Sequence, residues 1–178
     1  MRKFIILFFI CFPAIFAQNS FIDKLTFGVQ TEIVNPGSDL GEYWGSSYAI
    51  GGFAHYKLNE NFGYQVEILL SRFDENIKDN KLYPEITVLY IPLTGIAKID
   101  LSEYFQLIPS FGIENIMMIF DETDGRESNL NESEFSVTLS CGIKYKPFDI
   151  EIFAKYRNMF SEPENTPFYS LGIRKRLF

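Results

Sequence analysis

Residues 135–146 read Phe-Ser-Val-Thr-Leu-Ser-Cys-Gly-Ile-Lys-Tyr-Lys. Phe135, Val137, Leu139, Cys141, Ile143 and Tyr145 alternate with Ser136, Thr138, Ser140, Gly142, Lys144 and Lys146. A period of two puts one set on each face of an extended chain, so the spacing predicts a strand with one apolar and one polar side. The same alternation recurs outward from there. Leu25, Phe27, Val29 and Ile33 oppose Thr26, Gly28, Gln30 and Glu32; Phe62, Tyr64, Val66, Ile68 and Leu70 oppose Gly63, Gln65, Glu67 and Ser71. Further copies are predicted at 47–58, 105–116, 150–160 and 168–177. In 84–99, Leu89, Ile91 and Leu93 share a face, but Val88, Tyr90 and Ile96 spoil the polarity of the other.

Eight strands result, all longer than the five or six residues usual in soluble sheets. About ten residues, tilted by roughly 45°, are what a strand needs to cross a bilayer. The connections alternate: Asn35–Ser46, Asp74–Tyr83 and Asp121–Glu134 are long, Asn59–Asn61, Asp100–Tyr104 and Pro147–Asp149 short, Ser161–Pro167 intermediate. An even strand count with loops at one end and tight turns at the other is the plan of an all-β, eight-stranded, antiparallel up-and-down transmembrane barrel. Pro92 cannot donate to a ladder, so a local bulge is expected beside it.

The amino-terminal stretch is excluded from this pattern. Arg2 and Lys3, the apolar run Phe4–Phe12, Pro13 and the small Ala14 and Ala17 predict a secretory signal peptide at 1–17, leaving one barrel domain at 18–178. Without it the chain keeps 14 Lys+Arg against 23 Asp+Glu, about −9, which disfavours nucleic acid as a partner. Cys11 leaves with the signal and is preceded by the bulky Phe8, Phe9 and Ile10, so no lipid anchor is expected there. Cys141 alone remains, too few for an internal disulfide or a cysteine-based metal or redox site.

With this pattern in hand, the stretch Lys24 to Phe178 resembles the small eight-stranded outer-membrane β-barrel family, OmpA/OmpX-like. Leu89-Tyr90-Ile91-Pro92-Leu93 with Lys98 resembles, more narrowly, the strand motif of PorT-like barrel domains, and the terminal Phe178 is similar to a barrel-assembly signal. The resemblance implies a bacterial outer-membrane location, loops outside and both termini periplasmic. It implies outer-membrane lipids, lipopolysaccharide and the barrel-assembly machinery as partners, with an extracellular ligand reached through the loops.

The polar face carries Glu32, Glu67, Glu114 and Glu151 with Lys57, Lys144, Lys155, Arg157 and Arg174. In so narrow a barrel all nine point into one interior, which side chains fill. They are expected to pair, because an isolated buried ion is far costlier than a paired one. A salt-bridged, closed lumen is the expectation, with a proton or ion path as the alternative. His55, the only histidine, faces inward beside Lys57, with no serine at short spacing after it. An acyl transfer needs a base next to a nucleophile, so neither catalysis nor a cofactor is expected. Asp121-Glu122-Thr123-Asp124-Gly125 has the flavour of a calcium loop. With Gly125 at the glycine place, however, Phe120 takes the first ligand position and Asn131 the closing one.

Alternation does not say which face is outside. A secreted lipocalin-like carrier of a hydrophobic ligand has its apolar face inward, and a membrane barrel is the inverse. Strand length, the lack of a G-x-W spacing at Gly41-Glu42-Tyr43-Trp44, and glycines on the polar face at 28, 51, 63, 112, 142 and 172 favour the membrane barrel. Tyr48, Tyr56, Phe62, Tyr145, Tyr156 and Tyr169 on the apolar face then read as interfacial girdles. The expectation is a non-enzymatic barrel in a structural or surface-interaction, adhesion role. The carrier is the alternative, and a lipid-A-modifying barrel enzyme is third.

Overall fold

A computed structural model describes residues 23–74, 76–78, 81–83, 85–120, 131–160 and 165–177. The signal peptide expected at 1–17, the calcium-like stretch from Asp121 and the terminal Phe178 lie outside these residues. Eight long strands are present: β1 (Leu25–Pro36), β2 (Ser47–Lys57), β3 (Phe62–Phe73), β6 (Ile86–Ala97), β8 (Phe105–Phe120), β9 (Asn131–Tyr145), β10 (Ile150–Phe160) and β11 (Thr166–Arg176). Each pairs antiparallel with its neighbour in the chain, and β1 pairs with β11, Gly28 opposite Arg176, so the sheet closes on itself. No helix among the described residues is long and apolar enough to cross a membrane.

Two long connections carry structure that the alternation does not predict. A six-residue helix, α1 (Ser38–Tyr43), sits in the first, and a small hairpin, β4 (Asn76–Lys78) with β5 (Lys81–Tyr83), in the second. β8 and β9 also run further than expected. Ile119 pairs with Asn131, so residues 131–134 are strand rather than loop. At the other end the turns are tight, and β7 (Ile99–Asp100) is a two-residue extension against β8. Asp149 closes the β9–β10 turn at φ 53°, a left-handed conformation that aspartate tolerates better than most residues.

The bulge expected at Pro92 is not formed. Val66 faces Leu93 and Leu69 faces Tyr90, the same spacing on both strands, so no residue is inserted. The two pairs between them drop out of the β3–β6 ladder, while on the other side Pro92 pairs with Glu114 in register. A missing N–H costs the sheet local bonding here, and closure of the ring holds the register.

The faces are decided by exposure. Tyr48, Ile50, Ile68, Phe111, Phe135 and Ile152 all point outward, Tyr48 at 74% exposure, whereas Glu32, Glu67, Glu114 and Arg157 are at most 2% exposed. The carrier reading needs the opposite, and the structure excludes it. A continuous apolar outer face is stable only against hydrocarbon.

Glycines on the inward face make room at close approaches. A Cβ on Gly28 would collide with the Phe53 ring, and one on Gly142 with the Glu151 carboxylate. Phe53 and Glu151 occupy the lumen because those positions carry no side chain.

Candidate functional site: the filled lumen

The inward side chains divide at mid-height. Toward the loops they form an apolar cluster of Val34, Ala49, Leu69, Phe73, Ile86, Val88, Tyr90, Ile116, Met118, Met159 and Phe168. Trp44 belongs to the same cluster, with Leu40 and Tyr43 packed against it, so α1 and its end cap the apolar half from the loop side. α1 is held there by the Gly37 amide, which donates to the Pro167 carbonyl at 2.7 Å, and its last turn is closed by the Trp44 amide, which donates to the Leu40 carbonyl at 2.8 Å.

Toward the turns the lumen is ionic. Lys155 donates to Glu67 at 2.7 Å and lies 3.5 Å from Glu32. The Arg157 guanidinium bonds Glu32 and reaches Glu114 from Nε at 3.0 Å, with its remaining arm on Ser170. Arg174 bonds Glu151 and stands 3.5 Å from Glu67. Glu67 also accepts from Gln30 at 2.6 Å and from Gln65 at 2.8 Å. The Tyr90 ring lies 4.8 Å from the Arg157 guanidinium and Phe153 4.9 Å from that of Arg174, so aromatic faces support the cations where carboxylates do not. Tyr90 also meets Phe168 edge-on at 6.3 Å and so joins the two halves.

Seven of the nine residues singled out by alternation are thus brought into one network, and two are not. Lys57 is exposed at the end of β2, beyond the enclosed part of the lumen. Lys144 turns to the turn-side mouth and pairs with Asp149. The mouth cavity lined by Lys144, Asp149, Glu151, Arg174 and Arg176 holds about 10 Å³, room for about one water. His55 is fully buried, and Lys98 donates to its Nε2 at 3.0 Å. No hydroxyl or thiol nucleophile bonds it among the described residues. Lys98, in the turn after β6, is lowered to about 8, first by burial and then by Arg176, Lys144 and Lys57 around it.

Gln30 and Gln65 lie on the polar parity, but without a charge nothing in the sequence marks them as members of the network. Tyr90 had no such signal, since an apolar residue on the inward parity reads as an irregularity. Among the described residues no group of three or more His, Cys, Asp or Glu could hold a metal ion.

A closed eight-stranded barrel, apolar outside and packed within, defines an integral outer-membrane β-barrel protein. Residues 4–157 match the outer membrane protein beta-barrel domain family, and the chain belongs to it. Its fold is similar to that of Neisserial surface protein A (TM-score 0.64, 11% identity, 86% of this chain and 97% of that one). It is also similar to Ail, the attachment invasion locus protein of Yersinia pestis, in complex with the heparin analogue sucrose octasulfate (TM-score 0.54, 15% identity, 86% and 97%). At these identities the likeness is one of fold. No curated protein matches the chain significantly.

Proposed function

We propose that this outer-membrane protein is a closed, non-enzymatic barrel that serves as a membrane-anchored scaffold for its long loops, in a structural or surface-interaction, adhesion role. The filled lumen carries this reading. Buried ion pairs occupy the turn-side half and a packed apolar cluster the loop-side half, so nothing of the width of a hydrated solute passes. In this reading the long loops face outward, both termini and the short turns face the periplasm, residues 1–17 are removed on export, and the assembly machinery inserts the barrel.

The four longer connections named from the sequence contain 13 acids and three bases, an acidic crown. Such a crown repels the phosphates of lipopolysaccharide unless divalent cations bridge them. Acidic loops also suit an extracellular ligand with complementary basic groups. The word attachment in the Yersinia protein's name belongs to that protein; here the charge of the loops is the support for a surface role.

Planar-bilayer recording of the pure protein tests the closed lumen: silence is expected, and reproducible long-lived openings would make the lumen a transport path. Protease added to whole cells tests orientation, with cleavage confined to the long loops. Protection of those loops that ignores EDTA would count against the cation-bridged crown.

A further inference from the structure

The lumen ion pairs form one alternating chain with an odd number of members. It runs Glu114, Arg157, Glu32, Lys155, Glu67, Arg174, Glu151, a carboxyl group at each end. Four carboxyl groups therefore face three cations within the enclosed part of the barrel.

The two ends differ. Glu151 lies at the turn-side mouth, where Lys144 and Arg176 share its cavity and supply positive field from outside the chain. Glu114 lies at the boundary with the apolar half, at 1% exposure, in the same strand as Ile116 and Met118. The charged and titratable groups facing it are Glu32 on β1, Glu67 on β3, Tyr90 on β6, and Lys155 and Arg157 on β10. Its nearest cation, Arg157, also serves Glu32. Both Glu114 oxygens share the single Arg157 Nε, at 3.0 and 3.1 Å, and Glu32 Oε2 has only Lys155 at 3.5 Å, while the Tyr90 hydroxyl and Thr138 Oγ1 lack a hydrogen-bond partner. A second full negative charge at such a place is costly, and a bound proton removes it.

We propose that Glu114 holds a proton, so that the ladder of four carboxyl groups and three cations carries no net charge. On folding the proton is taken up from solvent by a carboxylate that is ionised in the unfolded chain. Folding is then coupled to proton uptake, and this carboxyl group favours the folded barrel more as pH falls through the neutral range. The proposal rests on the closed-lumen reading, since a water-filled channel would solvate the charge instead.

Infrared spectroscopy of the full barrel in bilayers at neutral pH is the test. Exposed carboxylates are ionised there, so the carbonyl band of an undissociated carboxylic acid marks a buried one. The band is expected in the natural protein, is lost in Glu114→Gln and persists in Glu151→Gln. Glu114→Gln, the neutral isostere, is expected to insert and to keep the urea midpoint at neutral pH. In the natural protein the folding equilibrium should weaken by up to tenfold more per pH unit than in Glu114→Gln, the slope for one proton. Absence of the band from the natural protein, its survival in Glu114→Gln, or failure of Glu114→Gln to fold would overturn the proposal. Long-lived channels in the presence of the band would instead defeat the closed-lumen reading alone.

Discussion

Between the turns and mid-height the barrel is filled by a Glu, Lys and Arg ladder packed against Phe53, Ile96, Ile108 and Phe153, and between mid-height and the loops chiefly by Leu, Val, Ile, Met and Phe. Both fillings exclude water, but they fail differently. In the ionic half each charged member depends on its neighbours, since removing one strands the charge beside it; the neutral end at Glu114 is the exception. In the apolar half the loss of one side chain leaves a cavity whose cost depends on local collapse. The same enclosed space thus contains a cooperative region and a locally tolerant one.

Arg157→Ala breaks this contrast hardest, because it abandons Glu32 and Glu114 together. The expected loss is about 3–5 kcal/mol in urea unfolding of the inserted barrel. A loss below that of an ordinary surface substitution would show that the ladder is not holding the lower half. Leu69→Ala, in the apolar half, is expected to cost roughly 2–5 kcal/mol while leaving the response to ladder substitutions unchanged. Strong coupling between Leu69→Ala and Lys155→Met in a double-mutant cycle would erase the boundary between the halves.

The outer face provides a third probe. Leu139 points outward at 48% exposure, and Ser140, its neighbour on β9, turns inward to Ser110 with Oγ atoms 2.6 Å apart. Leu139→Arg is expected to cost roughly 2–4 kcal/mol if position 139 lies near the midplane. A cysteine label at 139, made with Cys141→Ser, should be reached by lipid-phase quenchers and one at 140 should not. The opposite result would turn the barrel inside out.

The smallest effect concerns Lys98 at the turn-side mouth. Folding lowers its ammonium from 10.5 to about 8, so the unfolded chain keeps a proton that the folded one has released. Stability should therefore rise with pH between those values, and Lys98→Met should flatten that rise. An unchanged slope in Lys98→Met would remove Lys98 as its source.

The same contrast explains what the sequence revealed. Strands and faces were legible wherever polar and apolar residues alternate, as at 135–146, because the ionic half of the lumen has the opposite polarity to the lipid. Charged ladder members such as Glu67 and Arg157 stood out for that reason. In the upper half both faces are apolar, and β6, with Ile86, Val88 and Tyr90 inward, lost its alternation by packing well. The end of each long residue's reach was also hidden: Lys57 and Lys144 share the inward parity, yet both sit too near the turns to enter the ladder. Neither α1 nor the β4–β5 hairpin has a periodicity long enough to detect, since six residues make fewer than two helical turns.

The seam between β1 and β11 has a consequence for how the chain reaches this state. It joins the first long strand to the last, Gly28 to Arg176, so the ring does not exist until the final strand has been made. Any shorter set of strands is an open sheet with two unpaired edges, and hydrocarbon does not tolerate such edges. The contact that completes the structure spans nearly the whole polypeptide, where loop closure is entropically dearest. Folding is therefore governed by a late, non-local step, and the search for it belongs to a place where the edges remain covered until they meet.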